Sequence, residues 1–419
     1  MNICFVTLGC RANFSESQTW EEEINKLGGH IVSQDENVDI FVVNTCTVTD
    51  NADKKSKKQV LSLLKKSPNA KIVITGCGIE SSKNKLPKED ENISHVNRDK
   101  LHDYFKKIIK TTDKITQLKS TLRTRAFLKV QDGCNNFCSY CIIPHARGRE
   151  RSNAVSEVIK DVKNKLDQGY KEIVLTGIHL SNWNSENNFK NGDLADLVSE
   201  VLDKTEIKRL RFGSLEPRFF DQKFINILND DRVCPHLHLS LQSGSQEILQ
   251  SMKRHYTATE YKAMVDNLFK NVKDFSLTTD VIVGFPGESE ELFQETINFI
   301  ENINFAKLHV FPYSKRENTL AADMKDQIPE NIKLQRSKIL RKISLDKQRN
   351  FLKSLIGKTY PVLIEERKKG FYSGLTPNYA RVWIDSKENL ETNDIVDIKI
   401  TSLNTDKSTL GLNGEEPTR

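Results

Sequence analysis

The chain has 419 residues, too many for one ordinary domain, and its length predicts two or three. With 37% hydrophobic and 29% charged residues it describes a folded, water-soluble protein and excludes a disordered or fibrous one. No apolar run approaches the roughly 18–20 residues of a membrane span, which excludes a helical membrane protein. Eight cysteines over this length do not make a secreted disulfide scaffold, and residues 3–6 are strand-like where a leader would be basic and then apolar. These features predict a cytoplasmic protein whose thiols are free or bind metal. The net charge of +6 is compatible with a nucleic-acid partner and does not require one.

In chain order, residues 2–8 predict a buried strand and 15–27 an amphipathic helix with Ser15 as its cap. Residues 39–44 and 71–75 predict two more strands, with a lysine-rich helix after Asp50 between them. This alternation implies βαβ units around a parallel sheet. Cys10, Cys46 and Cys77 each follow one of the three strands within one to three residues. Ligands of open α/β sheets gather at the carboxyl ends of strands, so the three thiols are expected to converge and hold an Fe–S cluster. Cys4, inside a strand, and Cys234, without a partner nearby in sequence, are expected to be structural. Residues 80–97 read as a loop, 98–110 as a basic helix and 111–120 as a linker, placing the first domain at 1–118.

Residues 126–131 predict a strand that leads into Cys134-Asn-Asn-Phe-Cys138-Ser-Tyr-Cys141. Three thiolates on one loop can each ligate an iron of a [4Fe–4S] cubane and leave the fourth iron open. The alternative is a zinc tetrahedron closed by His145. An open iron can be chelated by the amino and carboxylate groups of S-adenosylmethionine (SAM). Ser152 is a possible cap for the next helix. Further strands are expected over 171–176, 207–212, 236–241, 276–283 and 306–310, with helices between them, which makes six βα repeats and a partial (β/α)6 barrel over 119–353. Polar residues cluster at the ends of these strands, and Gly177, Glu216, Gln242 and Tyr140 are candidate SAM partners, with Asp280 inside the fifth strand. His145, His179, His238 and His309 are expected to be structural histidines.

After a basic helix over 332–355, five short strands over 359–412 predict a small OB-like β-barrel for 354–419. Such barrels bind nucleic acid through basic grooves and aromatic stacking, for which Tyr372, Tyr379, Arg381 and exposed Arg367, Lys368 and Lys369 are available. Phe371 and Trp383 are expected to fill its core. The fold class is therefore α/β: a parallel-sheet domain, a partial barrel and a small β-barrel.

The order Thr7-Leu8-Gly9-Cys10, Asn44-Thr45-Cys46, Gly76-Cys77 and Cys134-Asn-Asn-Phe-Cys138-Ser-Tyr-Cys141-Ile-Ile-Pro-His-Ala-Arg-Gly-Arg resembles the radical SAM methylthiotransferase family over nearly the whole chain. The stretches 236–244, 308–316 and 374–382 are most similar to the branch that acts on N6-threonylcarbamoyladenosine in tRNA. His145, Arg11-Ala12 and Gly78-Ile79-Glu80 depart from that pattern and leave the cysteines intact. The resemblance implies a methylthiotransferase domain, a radical SAM domain and a C-terminal TRAM domain. It implies SAM and two [4Fe–4S] clusters as cofactors, with Cys134, Cys138 and Cys141 generating the radical and Cys10, Cys46 and Cys77 holding the sulfur-carrying cluster. It also implies a tRNA anticodon loop as partner, a flavodoxin- or ferredoxin-type electron donor, no membrane, and a monomer. The rival readings are action on isopentenyladenosine or on a ribosomal-protein aspartate, or a non-catalytic Fe–S RNA-binding protein.

Overall fold

A computed structural model describes residues 1–109, 124–184, 193–217, 220–368, 370–386, 389–405 and 410–416. The linker expected over 111–120 and Lys369 lie outside them. The apolar runs of the N-terminal region form an all-parallel sheet in the spatial order His30–Ile31, Asn2–Thr7, Ile40–Thr45, Lys71–Gly76, Ile93–His95. All six residues of Ile40–Thr45 are buried, as a strand covered on both faces must be. The chain leaves Asn2–Thr7 on one side and returns on the other, so the switch point lies between that strand and Ile40–Thr45. Thr7 pairs with Asn44 and Thr45 with Gly76, which brings three strand ends to one level.

Several local expectations are corrected. The first helix spans Arg11–Lys26, with Cys10 at its cap position, and Ser15 lies inside it. The Ser15 hydroxyl instead accepts the backbone N–H of Lys129 at 2.9 Å. Residues 80–97 are no plain loop: they contain a 3-10 turn, Lys83–Lys85, and the edge strand Ile93–His95. The basic segment after it is a 3-10 turn, Arg98–Lys100, followed by the helix Leu101–Ile108. Ser152 sits in a two-residue strand, and Ala154 is the cap of the helix Val155–Asp167.

The central region carries the six expected parallel strands, one short parallel addition, and a two-stranded antiparallel ribbon of Gln131–Asp132 and Arg151–Ser152. Arg209–Phe212, Glu172–Thr176 and Arg125–Lys129 form one sheet in that order; Ser214–Leu215, His236–Leu239, Ser276–Val283 and Lys307–Pro312 form the other. One continuous apolar core fills the space between these strands and their helices. The helix Glu330–Lys353 packs along Lys307–Pro312, where Ser344 Oγ bonds both the N–H and the carbonyl of Leu308 at 3.0 Å.

The C-terminal strands Thr359–Lys368, Phe371–Leu375, Arg381–Ile384, Gly411–Glu415 and Ile395–Asn404 close into a barrel in that order. Val362, Ile364, Tyr372, Val382 and Ile384 fill it. Phe371 and Trp383, expected in this core, face outward. Neighbours along a strand point to opposite faces, and Tyr372 and Ile384 take the inward positions, leaving Phe371 37% exposed and Trp383 half-buried.

Buried ions fasten the three units together. Glu172, fully buried, binds Arg211 Nε at 2.8 Å and Arg209 Nη2 at 2.9 Å. The same guanidiniums donate to the C-terminal barrel, Arg211 to Pro377 O at 2.9 Å and Arg209 to Leu375 O and Pro361 O at 3.3 Å. On the opposite face Arg316 donates to Asp53 Oδ2 and Thr47 Oγ1 at 2.7 Å and to Ser82 Oγ at 2.9 Å, tying three N-terminal segments to the central unit.

Two predictions follow from these ion pairs. Arg316→Met leaves Asp53 buried with Lys85 as its remaining cation, and is expected to cost about 3–5 kcal/mol, read by urea denaturation. Burial alone raises the Glu172 carboxyl, but Arg211, Arg209 and Arg125 outweigh it and bring it from an ordinary 4.5 down to about 2. A carboxyl depressed by folding stabilises fully above its ordinary value and loses that contribution as pH falls toward the folded value. Melting temperature is therefore expected to drop between pH 4.5 and 2. Glu172→Gln is expected to flatten that part of the profile while lowering stability at neutral pH, because two arginines lose their counter-ion.

Candidate functional site: two cysteine triads

The loop of Cys134, Cys138 and Cys141 is built by backbone constraints. Gly133 has a φ of +73°, and a Cβ there would sit 1.9 Å from Arg149 O, so only glycine fits. Cys134 N donates to Gly148 O at 3.1 Å and Cys141 N to Cys138 O at 3.0 Å. Ser139 fastens the loop to the segment after the fourth main strand, its N–H to Met252 O at 3.1 Å and its hydroxyl to Ser251 O at 2.8 Å. From that segment Arg254, buried, donates to Cys138 Sγ at 3.1 Å and to Tyr256 Oη at 3.1 Å, and pairs with Glu216.

Glu216 accepts in addition from Asn136 in the cysteine loop and lies 2.7 Å from His179 Nε2. His179 Nδ1 is 2.6 Å from Glu150. Burial alone lowers the imidazole, but hydrogen bonds to Cys134, Glu216 and Glu150 push it up to about 10. His179 therefore lies at this site, with Glu150 on Nδ1, Glu216 on Nε2 and Cys134 beside it, more than the structural role expected of it. His145 is exposed and lines a cavity of about 620 Å³ with Arg98 and Arg147.

The second triad uses the level strand ends. Gly9 packs on Cys46, where a Cβ would meet Cys46 Cβ at 2.7 Å. Gly76, at a φ of +93°, leaves no room for a Cβ beside Asn44 Oδ1 and Thr45 O. Asn13 holds the ends of the first and second of these strands together, donating to Leu8 O at 2.9 Å and Thr45 O at 3.0 Å, and its Oδ1 accepts from Cys10 Sγ at 3.4 Å. Cys46 and Cys77 are buried and Cys10 is exposed, so the group opens on Cys10.

Arg147, six residues past Cys141, ties the lead-in of the cysteine loop to the first helix. Its side chain has no exposure and donates to Asn13 Oδ1 at 2.7 Å, Glu16 Oε1 at 2.9 Å and Asp132 Oδ1 at 2.9 Å. Burial alone would lower its pKa, but Cys77, Glu16, Cys10 and Asp132 hold it well above the ordinary value. The lead-in to the cysteine loop and the turn that bears Cys10 therefore share one frame of charge.

The donors suit iron clusters. Burial pushes the Cys46 and Cys141 thiols up to about 12 and raises Cys77 and Cys138. Such thiols stay protonated unless a metal takes the proton's place. A single tetrahedral ion with sulfur at about 2.3 Å needs its ligands within about 4 Å of one another. Among the described residues neither triad brings its three sulfur atoms within 4.8 Å of one another, whereas Cys134, Glu150 and His179 do. Three cysteines can supply one thiolate to each of three irons of a [4Fe–4S] cluster and leave the fourth iron open.

The remaining sequence candidates lie around the same barrel. Tyr140 packs edge-on against Phe285, centroids 6.5 Å apart. Gly177 abuts Gln131, whose Oε1 accepts from the N–H groups of Ile178 and His179 at 3.0 and 2.7 Å. Gln242 has a φ of +67°, and its N–H donates to Asp280 O at 2.9 Å. The Asp280 carboxylate pairs with His238 Nε2 at 3.1 Å inside the barrel, and the His309 ring is 5.5 Å from that of His238. The structure thus brings Glu216 and Tyr140 to the cysteine loop, while the Asp280 carboxylate is engaged with His238. Sequence reading missed Arg147, Arg254, Arg316 and Glu150, none of which carries a periodic or spacing signal; the Arg-Gly-Arg after the cysteine loop was the nearest hint.

Residues 128–300 match the family model of the radical SAM superfamily, and residues 2–97 match that of the uncharacterized protein family UPF0004. The threonylcarbamoyladenosine tRNA methylthiotransferase MtaB of Bacillus subtilis is 36% identical over 423 residues, covering 95% of this chain and 93% of that protein. The tRNA-2-methylthio-N(6)-dimethylallyladenosine synthase of Clostridium tetani is 32% identical over 437 residues, covering 98% and 95%. Among solved structures, the radical SAM methyltransferase TsrM of Kitasatospora setae aligns with a TM-score of 0.52 at 14% identity, over 77% of this chain and 75% of that one, a likeness of fold. The chain belongs to the radical SAM methylthiotransferase family, whose cofactors are SAM and [4Fe–4S] clusters.

Proposed function

We propose that the protein transfers a methylthio group to C2 of N6-threonylcarbamoyladenosine beside the anticodon of tRNA. The observation that carries this reading is the pair of cysteine triads, one on a single loop and one at three level strand ends. It is supported by likeness over more than nine-tenths of the chain to threonylcarbamoyladenosine methylthiotransferases from several bacteria. In this reading Cys134, Cys138 and Cys141 hold the SAM-binding cluster, and Cys10, Cys46 and Cys77 hold the cluster that carries sulfur. C2 of adenine bears no acidic proton, and the chemistry these groups supply when bound is a 5′-deoxyadenosyl radical able to take that hydrogen, together with a sulfur that a second SAM methylates.

The chain's own part is to position and to balance charge. In this reading Glu216 and Tyr140, at the cysteine loop, are SAM partners with Gln242, Gly177 and Asp280 further along the barrel, and Arg254, which donates to Cys138 Sγ, offsets the negative charge of the thiolates. Residues 1–118 carry the sulfur site, 119–353 the radical site, and 354–419, as a TRAM domain, hold the tRNA largely by phosphate contacts, so binding weakens with salt. The adenosine enters from a single-stranded loop, where a base can be splayed out. The protein works in the cytoplasm as a monomer, with a flavodoxin- or ferredoxin-type protein supplying the electron.

Cys134→Ala is expected to abolish SAM cleavage, whereas Cys10→Ala retains it and loses methylthiolation. Nucleoside mass spectrometry of tRNA from cells with and without the gene is expected to show 2-methylthio-N6-threonylcarbamoyladenosine disappearing. Loss of the methylthiolated isopentenyl nucleoside instead would move the substrate to that branch, and an unchanged tRNA profile would favour a protein substrate.

A further inference from the structure

The loop between the second and third C-terminal strands enters the central barrel. Thr376 closes it, accepting the Ala380 N–H at 2.8 Å and hydrogen-bonding Asn378 Oδ1 at 2.6 Å. Tyr379 at its tip has a φ of +69°, a conformation disfavoured for a residue with a Cβ and held only where surroundings impose it. Those surroundings come from the central unit. The ring stacks on His236 with centroids 4.6 Å apart, Arg211 lies over it at 4.8 Å, and Ser276 Oγ donates to Asn378 O at 2.7 Å.

The phenol oxygen has other partners, Arg125 and Arg11. Arg11 Nη2 donates to it at 3.2 Å, while Arg11 Nη1 donates to Phe212 O at 3.2 Å, at the end of a barrel strand. Arg11 is the first residue of its helix and directly follows Cys10. Burial raises the phenol, yet Arg11, Arg125 and Arg211 pull it down to about 8, so the contact has charge-assisted character. One side chain of the C-terminal barrel therefore reaches through the central unit to the turn that carries a cysteine of the N-terminal triad.

We propose that Tyr379 is a positioning residue for the N-terminal cluster: through Arg11 its hydroxyl fixes the strand-to-helix turn that bears Cys10, and so couples the C-terminal barrel to the sulfur site. The inference rests on the reading of Cys10, Cys46 and Cys77 as cluster ligands. The ring and the hydroxyl have separate duties, the ring docking the barrel and the hydroxyl meeting Arg11, so Tyr379→Phe separates them.

The test uses the full chain with its clusters reconstituted, in two backgrounds. With Cys134, Cys138 and Cys141 changed to alanine, the EPR spectrum of the reduced protein reports the N-terminal cluster alone. There Tyr379→Phe is expected to alter the spectrum, and Arg11→Met to alter it in the same way. In the otherwise unchanged protein each substitution is expected to lower kcat for methylthiolation by about tenfold, with the KM for tRNA within about twofold, and the double variant to fall no further than either single one. A Tyr379→Phe spectrum that superimposes on its parent, or losses that multiply in the double variant, would overturn the proposal. No cluster at all in the triple-alanine background would overturn the cluster reading and this inference with it.

Discussion

A guanidinium without solvent exposure must be paired where it lies, and Arg147 imposes that condition on the arrangement of the N-terminal and central units. Its partners come from both: Asn13 and Glu16 from the first helix, Asp132 from the lead-in to the cysteine loop. Undocking the N-terminal unit would strand Arg147 and Asp132 on one side and Glu16 on the other. Four cations, Arg98, Lys129, Arg147 and Arg151, meet the two buried carboxylates Glu16 and Asp132, with Glu80 4.0 Å from Arg98 at the edge. The surplus of positive charge lies beside Cys10 and Cys77, where thiolates bound to iron would need it.

The same logic recurs at the other joints. Glu172 gathers Arg209 and Arg211, whose spare donors take carbonyls of the C-terminal barrel. Arg316 takes Asp53, Thr47 and Ser82, and Thr47 is the residue after Cys46. Each joint costs desolvation of charge, and each is repaid only in one relative placement of the units. Units that each carry a cysteine triad are held in one placement better by joints of this directional kind than by apolar surfaces, which slide.

Much of this was legible from residues. Cysteines at three strand ends and three more on one loop needed only the periodicity of the strands and the rule that parallel sheets gather ligands at their carboxyl edges. What could not be read was set by contacts between distant segments. His30–Ile31 and Ile93–His95 are too short to show a period, and they are strands because a neighbour offers its edge. Ser15 looked like a helix cap and instead bonds a strand of the next unit. Phe371 and Trp383 looked like core because they are aromatic, but the strand register turned Tyr372 and Ile384 inward. Arg147 and Tyr379 are single polar residues whose roles exist only once separate units have docked, and Arg254 meets partners far apart in the sequence of one unit.

The most direct measurement of the central claim is Mössbauer spectroscopy of the reconstituted full chain beside two variants, each with one triad changed to alanine. The account predicts two [4Fe–4S] clusters in the parent and one in each variant, with SAM altering the spectrum only where Cys134, Cys138 and Cys141 remain. A single cluster in the parent, or two clusters surviving loss of Cys10, Cys46 and Cys77, would contradict it.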